Sequence, residues 1–279
     1  MRNVDPETVE GFGDEWTRFD QKALTPQERR EIYNHYFAIF PWTQVPPTAV
    51  GFDAGCGSGR WAAVVAPRVG TLHAVDASFQ ALDVARRNLA NEPNVEFHCA
   101  SIEDMPFPDG SMDFGYSLGV LHHVPDTRAA IKACARKLKP GAPLLLYLYY
   151  AFDNRPGWFR TVWRVSDLGR RVISEMPHGL RFATSQVLAA SVYWPLARSA
   201  RALELLGVPV ENLPLSAYRE RSFYVMRTDA LDRFGTRLEQ RFTRDEIRSM
   251  MEDAGLERVT FSDETPFWCA VGYRRPNGP

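Results

Sequence analysis

The feature that most constrains how this chain can fold is a glycine-rich turn at residues 53–59, which directly follows a short apolar run. Glycines stand at positions 55, 57 and 59, where they permit backbone conformations that side chains disfavour and a close approach of the backbone to a ligand. An apolar run that ends in an acid and such a turn is typical of a strand, a tight loop and the start of a helix. In an open parallel sheet, ligands bind outside the carboxyl ends of the strands. The turn therefore predicts a ligand site at that edge of a sheet.

Strand and helix patterns alternate with short links from residue 49 onward, which is typical of βαβ units and a parallel sheet. Two late strands are joined by a short link, so we expect them to pair as a hairpin and the last strand to run antiparallel. The predicted strands span 49–53, 71–76, 95–100, 112–118, 143–150, 257–262 and 267–274. The pattern predicts an α/β fold with a mostly parallel seven-stranded sheet.

Helices are indicated by capping residues and by apolar residues that recur on one face. Thr25 with Glu28, and Thr243 with Glu246, have the spacing of capping boxes. The predicted helices lie near 26–40, 58–68, 79–90, 127–138, 157–175, 185–206 (interrupted at Pro195) and 244–254. Residues 16–19 are interpreted as an aromatic and basic part of a polar lead-in, either pinned to the surface or in contact with ligand.

We divide the chain into four segments. Residues 1–40 form an N-terminal helical segment that covers the cofactor site, residues 41–152 the cofactor-binding core, residues 153–240 a helical insertion after strand 5, and residues 241–279 a return to the core. Residues 153–206 are rich in arginine and aromatic residues. Their helices are either a cap whose arginines are solvated, or a lid over a substrate that is apolar, anionic or both.

Composition excludes some classes of function. A net charge of −1 gives no general reason to expect nucleic-acid binding. The longest apolar run, 144–152, is far shorter than a membrane span, and the N-terminus lacks a leader pattern, so we expect a cytoplasmic protein. Peripheral membrane contact through the aromatic and basic helices stays open, as does the choice between monomer and homodimer. The four cysteines lack zinc or disulfide spacing, and no metal site is predicted.

Two acids at strand ends discriminate between candidate ligands. Asp53 lies beside the turn, where a carboxylate repels a diphosphate and attracts an ammonium group. Arg60 stands where the dinucleotide fingerprint carries its third glycine. Asp76, about twenty residues beyond the turn, is placed to accept both hydroxyls of a ribose. Together these residues favour a ribose joined to an amino acid, as in S-adenosylmethionine, over a nicotinamide dinucleotide.

With these residues in this order, the chain resembles the class I S-adenosylmethionine-dependent methyltransferases, particularly the small-molecule branch similar to ubiquinone and sterol methyltransferases. The resemblance covers residues 49–150, with a similar pattern at 241–274. It is carried by motifs in order: 50–59, Asp76, 101–107, 113–124 and Leu138-Lys139-Pro140-Gly141. It implies a Rossmann-like, doubly wound sheet with the helical insertion as a substrate cap.

The resemblance also implies a role for each matched position. The methionine end of the cofactor would lie at Asp53, Gly55, Cys56 and Gly57, the ribose at Asp76 and Ala77, the adenine at Ser101, Ile102 and Glu103, and the methyl group near Leu118 and Gly119. Family members usually carry Asp at the position of Ser101, and a serine accepts the adenine amino group more weakly. Arg18 would meet the cofactor carboxylate if the N-terminal segment folds over the site.

Residues for the chemistry and for the acceptor are fewer. His122 and His123 follow the fourth predicted strand and are candidates for a general base, although such a pair is often only a hydrogen-bonded turn. Tyr218, Arg219 and Tyr224 either orient the acceptor or belong to a polar connection held by its own salt bridges.

The predicted function is methyl transfer from S-adenosylmethionine to a small or medium-sized acceptor. Oxygen is the favoured target, as in a sugar, polyketide or lipid-like metabolite, because residues 117–120 lack the Asn/Asp-Pro-Pro-Tyr motif that similar enzymes use for nitrogen. The alternatives are N- or C-methylation of a metabolite, an NAD(P)-dependent oxidoreductase, and a non-catalytic partner protein that binds S-adenosylmethionine.

Overall fold

A computed structural model describes residues 1–276 of the chain. Its sheet has seven strands in the order β3-β2-β1-β4-β5-β7-β6. The strands are β1 (Val50–Ala54), β2 (Thr71–Asp76), β3 (Val95–Cys99), β4 (Phe114–Leu118), β5 (Pro143–Tyr147), β6 (Leu256–Phe261) and β7 (Cys269–Arg274). β7 pairs antiparallel with both β5 and β6, and the other neighbouring pairs are parallel. The predicted fold class, a doubly wound, mostly parallel seven-stranded sheet, is confirmed.

The described helices are α1 (Pro6–Arg18), α2 (Pro26–Tyr36), α3 (Ala62–Val65), α4 (Phe79–Asn88), α5 (Thr127–Lys137), α6 (Gly157–Ser174), α7 (His178–Leu188), α8 (Trp194–Leu205), α9 (Phe223–Gly235) and α10 (Arg244–Asp253). A π-helical turn, Ala189–Tyr193, joins α7 to α8. The predicted helix over 185–206 is thus interrupted just before Pro195, which lacks the N–H that a regular helix needs.

The predicted capping residues act as caps. The Thr243 hydroxyl accepts from the Glu246 N–H while the Glu246 side chain accepts from the Thr243 N–H, a reciprocal capping box at the start of α10. The Thr25 hydroxyl accepts from the Glu28 N–H at 3.1 Å and begins α2. Local hydrogen bonds of this kind satisfy N–H groups that the first helical turn leaves unpaired, which is why they can be predicted from the sequence.

Two helices were not predicted. The polar lead-in is α1, and its start does carry a signal, since Asp5 accepts from the Thr8 N–H at 3.0 Å and Pro6 occupies the first turn. The polar connection before residue 235 contains α9, which begins where Ser222 accepts from the Val225 N–H. In α9, Met226, Ala230, Leu231 and Phe234 also recur at helical spacing and are buried, so both the capping residue and the apolar repeat of this helix were available in the sequence.

The described chain consists of two compact units. One comprises residues 1–151 and the chain from Leu238 onward, and the other is Phe152–Arg237.

In the first unit, Gly51 lies opposite Phe114 and Phe52 opposite Gly115 on β1 and β4. A Cβ atom on either glycine would come within 2.2 Å of the neighbouring phenyl ring. The two rings enter different apolar clusters, so the sheet has a core on both faces.

The second unit has its own apolar cluster, which includes Tyr193, Met226 and Phe234. Across residues 1–276, no helix combines the length and the apolar character needed to cross a bilayer. The cytoplasmic location stays a prediction.

Candidate active site

The glycine turn leaves the carboxyl end of β1 with left-handed backbone at three positions. The φ angles of Gly55, Gly57 and Gly59 are +83°, +53° and +76°, which other residues adopt only with strain. The space beside two of them is also filled. A Cβ atom at Gly55 would lie 2.4 Å from Val120, and one at Gly57 would lie 2.9 Å from the indole of Trp16. Larger residues are therefore excluded by conformation and by packing.

Asp76, at the end of β2, holds the glycine turn in place. Its Oδ2 accepts from the Gly57 N–H at 2.9 Å, and its Oδ1 accepts from the Ser78 N–H at 2.8 Å. Burial raises the pKa of Asp76, and these backbone donors partly oppose that rise. An ionised carboxylate has about four acceptor sites, so both oxygens can still accept from a ligand hydroxyl.

Asp53, the acid that begins the glycine turn, is deeply buried. Its side chain is 1% exposed, and its Oδ2 has no hydrogen-bond partner among the described residues. Burial raises the pKa of Asp53 to about 8, and the nearby Tyr116 hydroxyl opposes part of the rise. The group is therefore mostly protonated at pH 7 rather than the anion that the sequence suggested. A cation that reached Oδ2 would favour the ionised form.

The turn after β3 brings the predicted adenine residues together in a 3-10 turn, Ile102–Asp104. Ser101 is buried and its hydroxyl donates to Asp104 Oδ2 at 2.8 Å. The Arg2 guanidinium donates to Asp104 Oδ1 and to the Glu103 carbonyl, each at 2.8 Å. Arg2 was not predicted as a site residue, and sequence spacing gives no signal for a contact over 102 positions.

The turn after β4 contains both predicted histidines. His122 is fully buried, and neither of its ring nitrogens has a hydrogen-bond partner within residues 1–276. Its ring stacks on Tyr149 with centroids 3.9 Å apart. Burial, with His123 alongside, places the pKa of His122 well below its usual range, so the ring is neutral at pH 7. His123 Nδ1 donates to the Leu238 carbonyl at 2.7 Å.

The remaining cofactor residues are placed as follows. Cys56, Ile102 and Leu118 are buried, Ala77 and Glu103 are half-buried, and Gly119 has a φ of +78°. Burial raises the pKa of the Cys56 thiol well above its ordinary value. The Gly119 N–H donates to the Tyr147 carbonyl at 3.0 Å, which ties the end of β4 to β5.

Helix α1 contacts the turns that follow three of the strands. Phe12 meets His123 edge-on at 5.0 Å, Gly13 lies against Ser78, and Trp16 lies against Gly57. A Cβ atom at Gly13 would be 2.8 Å from the Ser78 hydroxyl. The helix therefore runs across the carboxyl ends of β1, β2 and β4.

Arg18, at the end of α1, pairs with Asp14 through Nε and Oδ2 at 2.8 Å. Arg60 stacks over Trp61 at 4.3 Å from the ring centroid and also faces Trp16. A contact of Arg18 with the cofactor stays a prediction.

The predicted acceptor residues belong to the second unit. Arg219 pairs with Glu204 at 2.9 Å, and Arg201 contacts both Glu204 and Glu220. The Tyr218 ring lies 5.5 Å from that of Tyr193, and burial raises its pKa. Tyr224 is half-buried in α9. These contacts match the salt-bridged connection considered from the sequence, and a role in acceptor binding stays a prediction.

A family model described as a methyltransferase domain matches residues 52–146. A curated relative, the ubiquinone biosynthesis O-methyltransferase of Idiomarina loihiensis, is 31% identical over 154 residues, which are 52% of this chain and 60% of the relative. The chain thus spans less than two thirds of that protein. An uncharacterised methyltransferase of Mycobacterium tuberculosis is 30% identical over 162 residues, which are 58% of this chain and 77% of the relative.

Solved structures agree in fold. A Haloferax volcanii protein in complex with the Trm112 methyltransferase activator has a TM-score of 0.51 at 15% identity, and the match covers 95% of this chain and 97% of that chain. The Haemonchus contortus phosphoethanolamine N-methyltransferase 2, with phosphomonomethylethanolamine and S-adenosylhomocysteine, also has a TM-score of 0.51, at 17% identity, covering 93% of this chain and 44% of that one.

The glycine turn, the acid at the end of β2 and these relatives together define an enzyme that transfers a methyl group. The chain belongs to the class I S-adenosylmethionine-dependent methyltransferases. S-adenosylmethionine, the methyl donor of that family, is its cofactor. The family, enzyme class and cofactor predicted from the sequence are confirmed, and the oxidoreductase alternative is removed.

Proposed function

We propose that the chain methylates a hydroxyl oxygen of a small or medium-sized metabolite. The observation that carries this proposal is His122, a buried and neutral imidazole with no protein partner on either ring nitrogen in the described chain. A hydroxyl nucleophile must lose its proton during transfer, so it needs a base more than a neutral amine does. A relative named as an O-methyltransferase supports the same target atom.

We further propose how the first unit holds the cofactor. The buried Oδ2 of Asp53 lacks a donor, and the ammonium group of S-adenosylmethionine would supply one, so these residues fit that cofactor. The ribose hydroxyls bind the two oxygens of Asp76 that already accept from Gly57 and Ser78. The full proposed set is Arg18, Asp53, Gly55, Cys56, Gly57, Asp76, Ala77, Ser101, Ile102, Glu103, Leu118 and Gly119. Helix α1 covers this set.

When bound, S-adenosylmethionine supplies a methyl group on a sulfonium, which is open to in-line displacement. The chain contributes position and a proton acceptor. Positioning of two reactants can lower the barrier by roughly 7–11 kcal/mol. A ring nitrogen of His122 takes the hydroxyl proton, while Tyr149 fixes the plane of the imidazole by stacking at 3.9 Å. His123 keeps its orientation through the Leu238 carbonyl and does not take the proton.

The second unit is proposed to select the acceptor, with Tyr218, Arg219 and Tyr224 contributing. Helix α6 supports an apolar acceptor because one of its faces is exposed and apolar. That face consists of Trp158, Val162, Val165, Leu168 and Val172, each between 50% and 66% exposed. Arg164 is also exposed on α6, whereas Arg171 pairs with Asp167 at 3.0 Å, so an anionic group beside an apolar body suits the part of this helix near Arg164. A lipid-like or polyketide acceptor fits better than a free sugar.

The test is a panel of acceptors in matched hydroxyl and amine forms, incubated with S-adenosylmethionine and followed by mass spectrometry of both products. We expect transfer to the hydroxyl members. The substitution His122→Gln should lower kcat by roughly 10²–10⁴-fold and leave S-adenosylhomocysteine binding within about threefold, about 0.65 kcal/mol. His35→Gln, on the exposed surface of α2, is the matched control and should retain full activity.

Three results would contradict the proposal. Transfer to amines alone would identify an N-methyltransferase. Cofactor binding without turnover of any acceptor would identify a non-catalytic protein. Full activity of the His122→Gln enzyme on a hydroxyl acceptor would show that His122 is not the base.

A further inference from the structure

Two strands at one end of the sheet bring together a cluster of metal-ligand side chains. His73 is on β2, and Glu96 and His98 are on the neighbouring strand β3. His73 lies opposite Glu96 in the parallel register, and His98 is two residues further along, so all three side chains share one face of the sheet. The three residues offer ligand atoms that all lie within 4.8 Å of one another.

The His73–Glu96 spacing matches that between the ligands of a tetrahedral ion, and the two imidazole nitrogens are about 0.3 Å closer than that spacing. His73 Nδ1 is 3.0 Å from His98 Nε2 and 3.4 Å from Glu96 Oε2. Zinc binds nitrogen and oxygen ligands at about 2.0–2.2 Å, and tetrahedral geometry then separates neighbouring ligand atoms by roughly 3.3–3.6 Å. Two imidazoles and a carboxylate would leave one position for water, the usual composition of an open zinc site.

The surroundings hold one of the imidazole rings in orientation and leave the cluster open to solvent. Phe107 stacks on the His73 ring at 5.0 Å with an interplanar angle of 29°, which holds the ring in orientation. The Glu96 side chain is 60% exposed, so an ion can reach the cluster from solvent.

We propose that His73, Glu96 and His98 bind one divalent transition-metal ion of the zinc class, and that this ion fastens the edge strand β3 to β2. The site is separate from the cofactor turn. Asp76 is three residues beyond His73 on β2, which is roughly 10 Å along the strand and on the opposite face. The ion therefore stabilises the edge of the sheet and takes no part in methyl transfer. A histidine pair that shares one proton without a metal is the competing explanation.

The test is calorimetric titration of Zn²⁺ into protein stripped with a chelator, together with the absorption spectrum of the Co²⁺ form. We expect one ion per chain in the wild type, and binding weakened at least about tenfold in His98→Gln and in Glu96→Gln. Glu96→Gln changes an exposed side chain and should leave the fold intact. Zn²⁺ should raise the thermal midpoint of the wild type and not that of His98→Gln.

The matched controls are Cys99→Ser and His35→Gln. Cys99 is an exposed thiol next to His98, and it is the obvious other zinc ligand in this region. Both control variants should bind the ion like the wild type, and the Co²⁺ spectrum should lack a thiolate charge-transfer band. Absence of binding in the wild type, unchanged binding in Glu96→Gln and His98→Gln, or loss of binding in Cys99→Ser would overturn the proposal.

Discussion

The carboxyl group of Asp53 is unfavourably buried in the free protein, and the same group is proposed to bind the cofactor. Its carboxyl group is buried at the end of a central strand, and one of its oxygens lacks a protein donor among residues 1–276. Burial of an ionisable group without a partner is unfavourable in the free protein. A bound ammonium group would shift Asp53 from its protonated to its ionised form, because an opposite charge favours the carboxylate. Asp53 is thus suited to a ligand that brings a positive charge with it.

The substitution Asp53→Asn tests the raised pKa through the pH dependence of the free energy of unfolding. The ordinary pKa of 3.8 is raised to about 8 by burial in the folded protein, so the folded state keeps a proton that the unfolded state releases between these values. Wild-type stability therefore falls as pH rises through this window, by at most about 1.4 kcal/mol per pH unit. Asparagine has no such dependence, and the variant should gain stability over the wild type as pH rises.

Urea unfolding at pH 5 and pH 8 measures this difference, with Asp83→Asn on the exposed surface of α4 as the control. The free energy of unfolding of Asp53→Asn minus that of the wild type should be more positive at pH 8 than at pH 5. The same difference for the control should not change with pH. An equal gap at both pH values would contradict a raised pKa of Asp53. The same variant should bind S-adenosylhomocysteine more weakly.

Among the helices, α1 has the most direct connection to the proposed site. Its contacts with His123, Ser78 and Gly57 span the ends of three strands. Arg2, which precedes it, holds the turn after β3 through Asp104 and the Glu103 carbonyl. Because these contacts are made with the turns that follow the strands and not with the core of the sheet, loss of one should affect ligand binding more than folding of the sheet.

Trp16→Ala should therefore weaken S-adenosylhomocysteine binding by about 5- to 30-fold, roughly 1–2 kcal/mol, because the indole lies against Gly57. Calorimetry gives the binding change, and the thermal midpoint reports any loss of stability. Trp158→Ala, which removes a half-exposed indole from α6, is the matched control and should bind like the wild type. Unchanged binding in Trp16→Ala would show that α1 does not cover the cofactor.

At the level of the whole chain, the sheet was predictable because its signals are local. Apolar runs such as 143–147 and capping pairs such as Thr243 with Glu246 need no knowledge of distant residues. Most predicted strands end within one or two residues of those observed, and β5 is shorter, ending at Tyr147 rather than near residue 150. The cofactor followed from the order of the motifs, since Asp53 and Asp76 stand at fixed distances from the glycine turn.

The features that were missed depend on contacts across the sequence. Arg2 reaches Asp104, and His73 meets His98 only because β2 and β3 pair in one particular register. Helix α1 carries glycines and few apolar repeats, and it is positioned by packing against turns of the sheet. Asp53 was predicted as an anion because its burial, which raises its pKa, depends on strands on both sides.

The central claim is that the acids at the glycine turn bind S-adenosylmethionine. Calorimetric titration of S-adenosylhomocysteine into the wild type, Asp76→Asn and Asp83→Asn tests it most directly. Loss of a hydrogen bond to a charged group costs roughly 1.5–3 kcal/mol, so Asp76→Asn should bind at least about tenfold more weakly, while Asp83→Asn should bind like the wild type. Equal binding by all three proteins, or no binding by the wild type, would contradict the account.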